Sequence, residues 1–192
     1  MTDPYLIPGT ECLKNKLKIA DPVLLRESEA RIVSIRDVQL ARETLPGEYN
    51  LAHLQAFHTA LFQDVYPWAG KIRTVNISKD RSMFAAWQFV EDQTSSVLAG
   101  LEDDNWLIGA SREHFVTRLA HYYGELNVCH PFREGNGRTQ RAFLRQLSAA
   151  AGWRLDWSAL DKAGNIAASE RALLASDFAL MRQVLEPVVV RM

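Results

Sequence analysis

The sequence is poor in cysteine and has no long apolar run. Its two cysteines, Cys12 and Cys129, lie far apart, and two cysteines alone cannot form a zinc cluster or a disulfide-rich scaffold. No stretch of about 18 consecutive apolar residues predicts a membrane span. The first residues also lack the basic and apolar regions of a secretory signal. We therefore expect a soluble, cytoplasmic protein without a membrane partner.

The sequence also lacks an excess of charge of either sign. It has 22 basic and 23 acidic residues, for a formal net charge of -1. This balance argues against direct nucleic-acid binding through a broad basic surface, but it leaves room for a local anion site. Apolar residues make up 47% of 192 residues, which is enough for one domain with a core. We predict a single domain over 1–192, with an N-terminal helical extension over about 1–47, a core over about 50–155, and C-terminal helices over about 156–192.

Apolar spacing and capping residues predict a mainly α fold. Asp21 and Pro22 are typical of a helix start, Asn50 and Ser111 are further candidate N-caps, and Gly152 is a candidate helix stop. We place helices at 22 to about 45–47, 50 to about 66, 86–101, 111 to about 127–129 and 137–151, with one or two more within 158–185. The segment from 71 to 84 alternates and is rich in β-branched residues, with a candidate turn at 79–82. It predicts a short β-hairpin.

The segment from His130 to Arg141, HPFREGNGRTQR, combines several chemical groups at one loop and helix start. Gly135–Gly137 can turn successive N–H groups into a nest at a helix N-terminus, where an anion is favoured. At about 100° per residue, Arg138, Arg141 and Arg145 share one face of the following helix, and guanidinium groups suit phosphate oxygens.

Two further groups complete this set. Glu134 would oppose an anion unless it holds Mg²⁺ against phosphates, and His130 can accept a proton near neutral pH. A Cys129–His130 catalytic pair is conceivable, although a small buried cysteine is the simpler interpretation. Pro131 and Phe132 fit structural roles in the loop. The other histidines, which we interpret as unremarkable, are His53, His58, His114 and His121.

The segment HPFREGNGRTQR matches the Fic family signature, HPFx[D/E]GNGRxxR, at all nine specified positions. The chain therefore resembles the Fic family. The resemblance extends to YLIPGTECLKNKL, to the segment between Leu54 and Lys79, and to GELNVCHPF, so it covers effectively the whole chain. These segments are similar to Fic toxins of bacterial toxin–antitoxin pairs. The resemblance implies a Fic-type helical domain with a β-hairpin flap, here residues 75–84, over the active site.

The resemblance also implies AMP transfer from Mg-ATP to a hydroxyl side chain of a target protein. By motif position, His130 would be the general base, and Glu134 would hold Mg²⁺ against the α- and β-phosphates. The phosphate-binding residues would be Gly135, Asn136 and Gly137 through their main chain, Asn136 and Arg138 through further contacts, and Arg141 at the γ-phosphate. Within the flap, Ser78 and Lys79 are the candidate target-docking residues, because family members hold the target segment there by strand addition.

Gly137 favours AMP transfer, because Doc-type kinases of this superfamily carry lysine at that position and transfer phosphate. Transfer of UMP, phosphate or phosphocholine remains an alternative, as does a Fic fold that only binds partners. The toxins that the chain resembles modify a tyrosine on the ATPase subunits of DNA gyrase and topoisomerase IV. The resemblance implies those subunits as targets.

Many Fic proteins are inhibited by a helix with the motif [S/T]xxxE[G/N], whose glutamate pairs with the last arginine of the signature. The sequence contains no such segment: Thr44 and Glu48 have the first spacing, but Tyr49 follows and Pro46 disfavours a helix. The resemblance therefore implies a separate small antitoxin protein that carries this helix and contacts Arg141.

Overall fold

The computed structural model describes residues 3–79 and 82–192. These residues confirm the mainly α fold with a small antiparallel hairpin. The helices are α1 (Pro22–Leu40), α2 (Leu51–Phe62), α3 (Val90–Asp103), α4 (Arg112–Cys129), α5 (Asn136–Ala150), α6 (Lys162–Ala175) and α7 (Ala179–Leu185). The strands are β1 (Ser78–Lys79), β2 (Ser82–Met83), β3 (Trp153–Leu155) and β4 (Val189–Arg191).

Helix α4 is the centre of the domain. It packs against α3, α5, α6 and α7, while α5 also packs against α2 and α2 against α1. Nine of its 18 residues are buried. The N-terminal extension contributes to the same core through Cys12, Leu25 and Val33. Because α4 ends at Cys129 and α5 begins at Asn136, the loop between these helices lies at one end of the core.

The predicted N-caps are confirmed. The Asp21 side chain accepts hydrogen bonds from the first-turn N–H groups of α1. The Asn50 and Ser111 side chains do the same for α2 and α4. Each cap satisfies N–H groups that have no partner within the helix, so these starts are determined by local sequence.

Several predicted helix ends were wrong. Helix α1 ends at Leu40, not at 45–47, because the N–H and C=O of Leu45 bind the Gln146 side chain at 2.8 Å each. Helix α2 ends at Phe62 rather than near 66, and the chain continues in turns. Helix α3 begins four residues later than predicted, at Val90, because the Trp87 N–H is bound by the Asn76 side chain at 2.9 Å.

The hairpin is shorter than predicted. Its two strands pair Ser78 with Met83 and Lys79 with Ser82. The residues from 71 to 77 form no strand, because the main-chain N–H of Arg73 is bonded to the Pro131 carbonyl at 2.9 Å instead. The middle of the predicted turn, residues 80 and 81, lies outside the described residues.

A second sheet was not predicted from the sequence. Strand β3 follows Gly152, where we expected only a helix stop, and pairs antiparallel with β4 near the C-terminus. Trp153 stacks on Phe115 of α4 with ring centroids 5.4 Å apart, so this sheet joins α5 and the C-terminus to the core. Over the described ranges, the structure contains no helix that is both long and apolar enough to cross a membrane.

Candidate active site

His130 terminates α4 in the left-handed conformation, with φ 46° and ψ 61°. Its ring Nδ1 lies 3.2 Å from the Asn127 carbonyl oxygen. Because a carbonyl can only accept, Nδ1 carries the proton in the neutral ring and Nε2 carries the lone pair. The imidazole also stacks on Phe84, with centroids 3.8 Å apart and planes inclined by 20°. The end of the flap therefore contacts the ring of His130 directly.

The loop after His130 is held by Asn136 and Phe132. The Asn136 Oδ1 accepts from the Phe132 N–H at 2.8 Å, and its Nδ2 donates to the Phe132 carbonyl at 2.7 Å. Asn136 is only 3% exposed, and Phe132 is buried as predicted. These two bonds use the side-chain oxygen and one of the two N–H groups of Nδ2, and Asn136 also lines the cleft described below.

Gly135 makes the sharp entry into α5. It has φ 82° and is the N-cap residue of the helix, so the first N–H groups of α5 have no partner within the helix. A Cβ at this position would lie 2.2 Å from Cζ of Phe62. The glycine is thus required both by its backbone conformation and by the close approach of the aromatic ring.

His58 supports the same loop from α2. Its Nδ1 accepts from the Gly70 N–H at 2.8 Å, so Nε2 is protonated and donates to the Glu134 carbonyl at 3.0 Å. The ring stacks on Phe132 with centroids 3.9 Å apart, and burial lowers the pKa of His58 to about 4. His58 thus has a structural role, because this neutral imidazole fixes the main chain of Glu134, the metal-binding candidate.

Glu134 lies at the mouth of the loop with its side chain 44% exposed. Its Oε1 accepts from the Gly135 N–H at 2.9 Å and lies 3.5 Å from Nη2 of Arg138. Among the described residues, no group of three His, Cys, Asp or Glu could hold a metal ion. A single accessible carboxylate beside an anion site nevertheless suits Mg²⁺, which is often held by one or two carboxylates together with substrate phosphates.

Residues of α1 and α2 orient the Arg138 side chain. Its guanidinium pairs with Glu29, which is 5% exposed, and lies over the Phe62 ring at 4.8 Å from the centroid. The Tyr66 hydroxyl donates to the same carboxylate. Burial, followed by the Glu29 charge, raises the pKa of Tyr66, so the hydroxyl remains a donor. Glu29 and Tyr66 could not be assigned to the site from the sequence, because both lie far from the signature.

The three arginines predicted to share an anion-binding face are not equivalent. Arg145 pairs with Asp37 of α1 at 2.8 Å and does not line the cleft at the signature loop, whereas Arg138 and Arg141 do. Arg141 faces a cleft of about 200 Å³. The residues that line this cleft are His130, Arg133, Glu134, Gly135, Asn136, Gly137, Arg138 and Arg141. The loop thus brings the signature residues to one concave surface.

A second pocket, of about 160 Å³, adjoins this cleft and shares His130, Gly137 and Arg141 with it. It extends between the flap, α4, α5 and α6. Two buried polar atoms of its lining residues, Nε2 of Gln140 and Oδ1 of Asn165, have no hydrogen-bond partner within the described part of the chain. Gln140 and Asn165 thus bring two amide side chains to the lining of this pocket. Asn165 could not be assigned to the site from the sequence, because it lies outside the signature.

The Fic/DOC family description matches residues 48–148 of this chain, and this range contains the loop and both sides of the cleft. The chain belongs to the Fic/DOC family. It is 37% identical over 160 residues to the "Probable protein adenylyltransferase Fic" of Escherichia coli K12, a match that covers 83% of this chain and 79% of that protein. It is 41% identical over 160 residues to the "Protein adenylyltransferase VbhT" of Bartonella schoenbuchensis. That match covers 83% of this chain but only 34% of VbhT.

Solved structures give the same assignment. The crystal structure of the BepC protein of Bartonella tribocorum with bound AMPPNP superposes with a TM-score of 0.92 at 28% identity, over 98% of this chain and 97% of that one. An N-terminal Fic domain from Bartonella quintana with bound ADP gives a TM-score of 0.90 at 28% identity, over 98% and 95% of the two chains. The predicted Fic-type fold is confirmed, and the names of the relatives bear out the predicted enzyme class, a protein adenylyltransferase.

The hairpin, which we predicted as the flap, leads into Phe84, and Phe84 lines the second pocket and stacks on His130. Ser78 is exposed on β1 and Met83 is 64% exposed on β2. Lys79 lies in β1, and its side chain is outside what the structure describes. Cys129 precedes His130 in the chain and is buried. Burial raises the pKa of its thiol to about 11, which disfavours the thiolate that a nucleophile needs.

Proposed function

We propose that this chain transfers AMP from Mg-ATP to a hydroxyl side chain of a target protein. One observation carries the proposal: the signature cleft adjoins a second pocket and shares His130, Gly137 and Arg141 with it. The cleft offers N–H groups and arginines to phosphates. The pocket offers mixed apolar and amide side chains to a base. A nucleoside triphosphate has both parts in one molecule.

His130 acts as the general base. Its Nδ1–H is directed to the Asn127 carbonyl, so Nε2 takes the proton of the target hydroxyl. The hydroxyl oxygen then forms a bond to the α-phosphorus of ATP, the bond from that phosphorus to the bridging oxygen breaks, and diphosphate leaves. Negative charge grows on the phosphate oxygens during this step. The N–H groups that begin α5 stabilise that charge, because they are already oriented before the reaction.

Arg138 and Arg141, which both line the cleft, bind phosphate oxygens. Arg138 is oriented by Glu29 and the Phe62 ring, whereas Arg141 orients the γ-phosphate. The accessible carboxylate of Glu134 would hold Mg²⁺, which would supply neutralisation of phosphate charge. In this arrangement the protein positions ATP and compensates charge, which is most of what phosphoryl chemistry needs.

Gln140 and Asn165 supply selectivity for adenine. Adenine presents an amino donor beside a ring-nitrogen acceptor. The amide side chains of Asn165 and Gln140, which line the pocket, each carry both a donor and an acceptor for such groups. Gly137 favours AMP transfer because it leaves space for the Arg141 side chain: a Cβ there would lie 3.2 Å from Nη1 of Arg141. A larger side chain, such as the lysine of Doc-type kinases, would compete with Arg141 for space.

The flap binds the target. Ser78 and Lys79 lie on a two-residue strand whose partner strand occupies one edge, so a target segment can add to the hairpin through main-chain hydrogen bonds. The ATPase subunits of DNA gyrase and topoisomerase IV are the proposed targets, and their modification would make the chain a toxin. This part of the proposal rests on the resemblance of the whole chain to Fic toxins.

A small antitoxin protein is the proposed partner. A groove of about 300 Å³ runs between α1 and α5, and Arg138, Arg141 and Arg145 line it together with Ala30 and Ser34. Small residues on α1 leave room for a helix. A glutamate of the motif [S/T]xxxE[G/N] on that helix would pair with Arg141 and displace the γ-phosphate.

The test is mass spectrometry of a bacterial lysate treated with the purified chain and ATP. We expect tryptic peptides of the gyrase ATPase subunit to gain the mass of AMP on a hydroxyl side chain. The His130→Ala variant is the control, because it retains the fold and lacks the base. A gain of phosphate, UMP or phosphocholine would assign the other transferase activity, and no adduct anywhere would favour a binding module.

A further inference from the structure

Arg73 is a buried cation at the base of the flap. It is 1% exposed, and it has one of the largest fully buried side chains among the described residues. A buried charge is normally paired with a carboxylate or fully hydrogen-bonded. In residues 3–79 and 82–192, no carboxylate lies within ion-pair distance of Arg73. Its charge must therefore be compensated in another way.

Four main-chain carbonyls surround the guanidinium. Its Nη1 donates to Val75 at 2.7 Å, and its Nη2 donates to Ala85 at 2.5 Å. These two carbonyls lie at the two ends of the flap. Arg73 thus joins the entry and the exit of the hairpin at a single planar group.

The other two carbonyls belong to the end of α4. Nε donates to His130 at 2.8 Å, and Nη2 donates to Cys129 at 3.2 Å. The last carbonyls of a helix have no partner within it and carry partial negative charge. A cation at this position is therefore stabilised by the helix terminus, and it fixes the main chain of the proposed base.

A ring contact lies between these two sets of bonds. Phe84, the residue before Ala85, stacks on the His130 imidazole at 3.8 Å. Arg73 donates to the carbonyl of Ala85, the residue after Phe84, and to the main-chain carbonyl of His130 itself. The Ala85 N–H also donates to the Val128 carbonyl of α4 at 3.1 Å. The Arg73 side chain adds the bonds that join both ends of the flap to the carbonyl of His130 itself.

We infer that Arg73 is a positioning residue that sets the flap, and with it the target segment, against the His130 imidazole. This inference rests on the proposed function for its catalytic consequence. A residue with only a structural role would stabilise the domain as a whole. A positioning residue changes the Phe84–His130 contact and the use of the target while the rest of the fold and ATP binding are kept.

The first arm of the test is NMR of the histidine rings, without ATP or target. The ring of Phe84 should shift the His130 carbon-bound protons upfield in the unmodified chain. In Arg73→Gln we expect this shift to be lost, and in Arg73→Lys to be partly kept, because lysine can reach only some of the four carbonyls. Signals of His53 and His58 should stay in place. Arg118→Gln is the matched control, because Arg118 is partly buried and bonds Asp104 and Tyr122 away from the flap.

The second arm is kinetic, with the purified gyrase ATPase subunit as target. For Arg73→Gln we expect kcat/KM for the target to fall by ~10²-fold, since small displacements of reacting groups cost about that much. The KM for ATP should stay within about twofold and Arg73→Lys should recover part of the loss. A parallel rise of both KM values would overturn the inference.

The two arms separate this inference from the proposed function. If the unmodified chain transfers nothing to the subunit, the proposed target is wrong, and the NMR arm still decides the role of Arg73. If Arg73→Gln does not fold, Arg73→Lys decides it. Unchanged His130 signals in a folded Arg73 variant would show that Arg73 does not position the ring.

Discussion

Replacing Gly135 by alanine should destabilise the fold by about 2–5 kcal/mol. Two costs add up at this residue. A left-handed conformation costs an ordinary residue about 1–2 kcal/mol, and Gly135 has φ 82°. The new Cβ would also lie 2.2 Å from Cζ of Phe62, and overpacking of a core typically costs about 1–3 kcal/mol. The total is a large share of the roughly 5–15 kcal/mol that stabilises a typical domain.

The assay is urea unfolding followed by circular dichroism, and Gly137→Ala is the matched control. A Cβ at Gly137 would meet only the end of the Arg141 side chain, at 3.2 Å, and alanine in a helix is favoured over glycine by up to about 1 kcal/mol. We expect no destabilisation in the control. Equal unfolding free energies for the two variants would refute the argument that the Phe62 ring and the backbone of Gly135 together shape the anion nest.

Three further predictions concern groups around the cleft. His58 stays neutral in the fold, because its pKa is about 4 against about 6.5 in the unfolded chain. Its contribution to the free energy of unfolding should therefore be constant above pH 6.5 and fall by up to about 3 kcal/mol as the pH drops to 4. Urea titrations should show a flatter pH dependence for His58→Asn, and an unchanged slope would contradict this. Asn165→Leu and Gln140→Leu should each lower the ratio of kcat/KM for ATP to that for GTP by about tenfold or more, since each removes one polar contact to the base. Competition kinetics with both nucleotides measure this ratio, and an unchanged ratio would disprove the pocket assignment. Arg141→Ala should weaken both ATP use and antitoxin affinity, and calorimetry with the antitoxin would reject the inhibition proposal if its affinity were unaffected.

Local sequence determined some features of the fold and tertiary contacts determined others. The caps Asp21, Asn50 and Ser111 were predictable, because each acts on N–H groups within the next three residues. The end of α1 was not, because the Gln146 side chain that binds Leu45 comes from α5. The β3–β4 sheet was missed for the same reason, since its strands are separated by α6 and α7.

The candidate site shows the same division. The signature located the loop and the cleft, and the glycine conformation at 135 follows from it. The partners of its side chains did not follow, because they come from other helices. Glu29 of α1 pairs with Arg138, and Asp37 of α1 pairs with Arg145, which does not line the cleft. His58 of α2 fixes the main chain of Glu134.

AMP transfer by His130 is tested most directly with two radioactive forms of ATP and one purified target. The gyrase ATPase subunit is incubated with the chain and with ATP labelled at either the α- or the γ-phosphate. We predict that the target keeps the α-label and not the γ-label, and that His130→Ala lowers the rate of labelling by ~10²–10⁴-fold. Retention of the γ-label alone, or a His130→Ala variant as fast as the unmodified chain, would contradict the account.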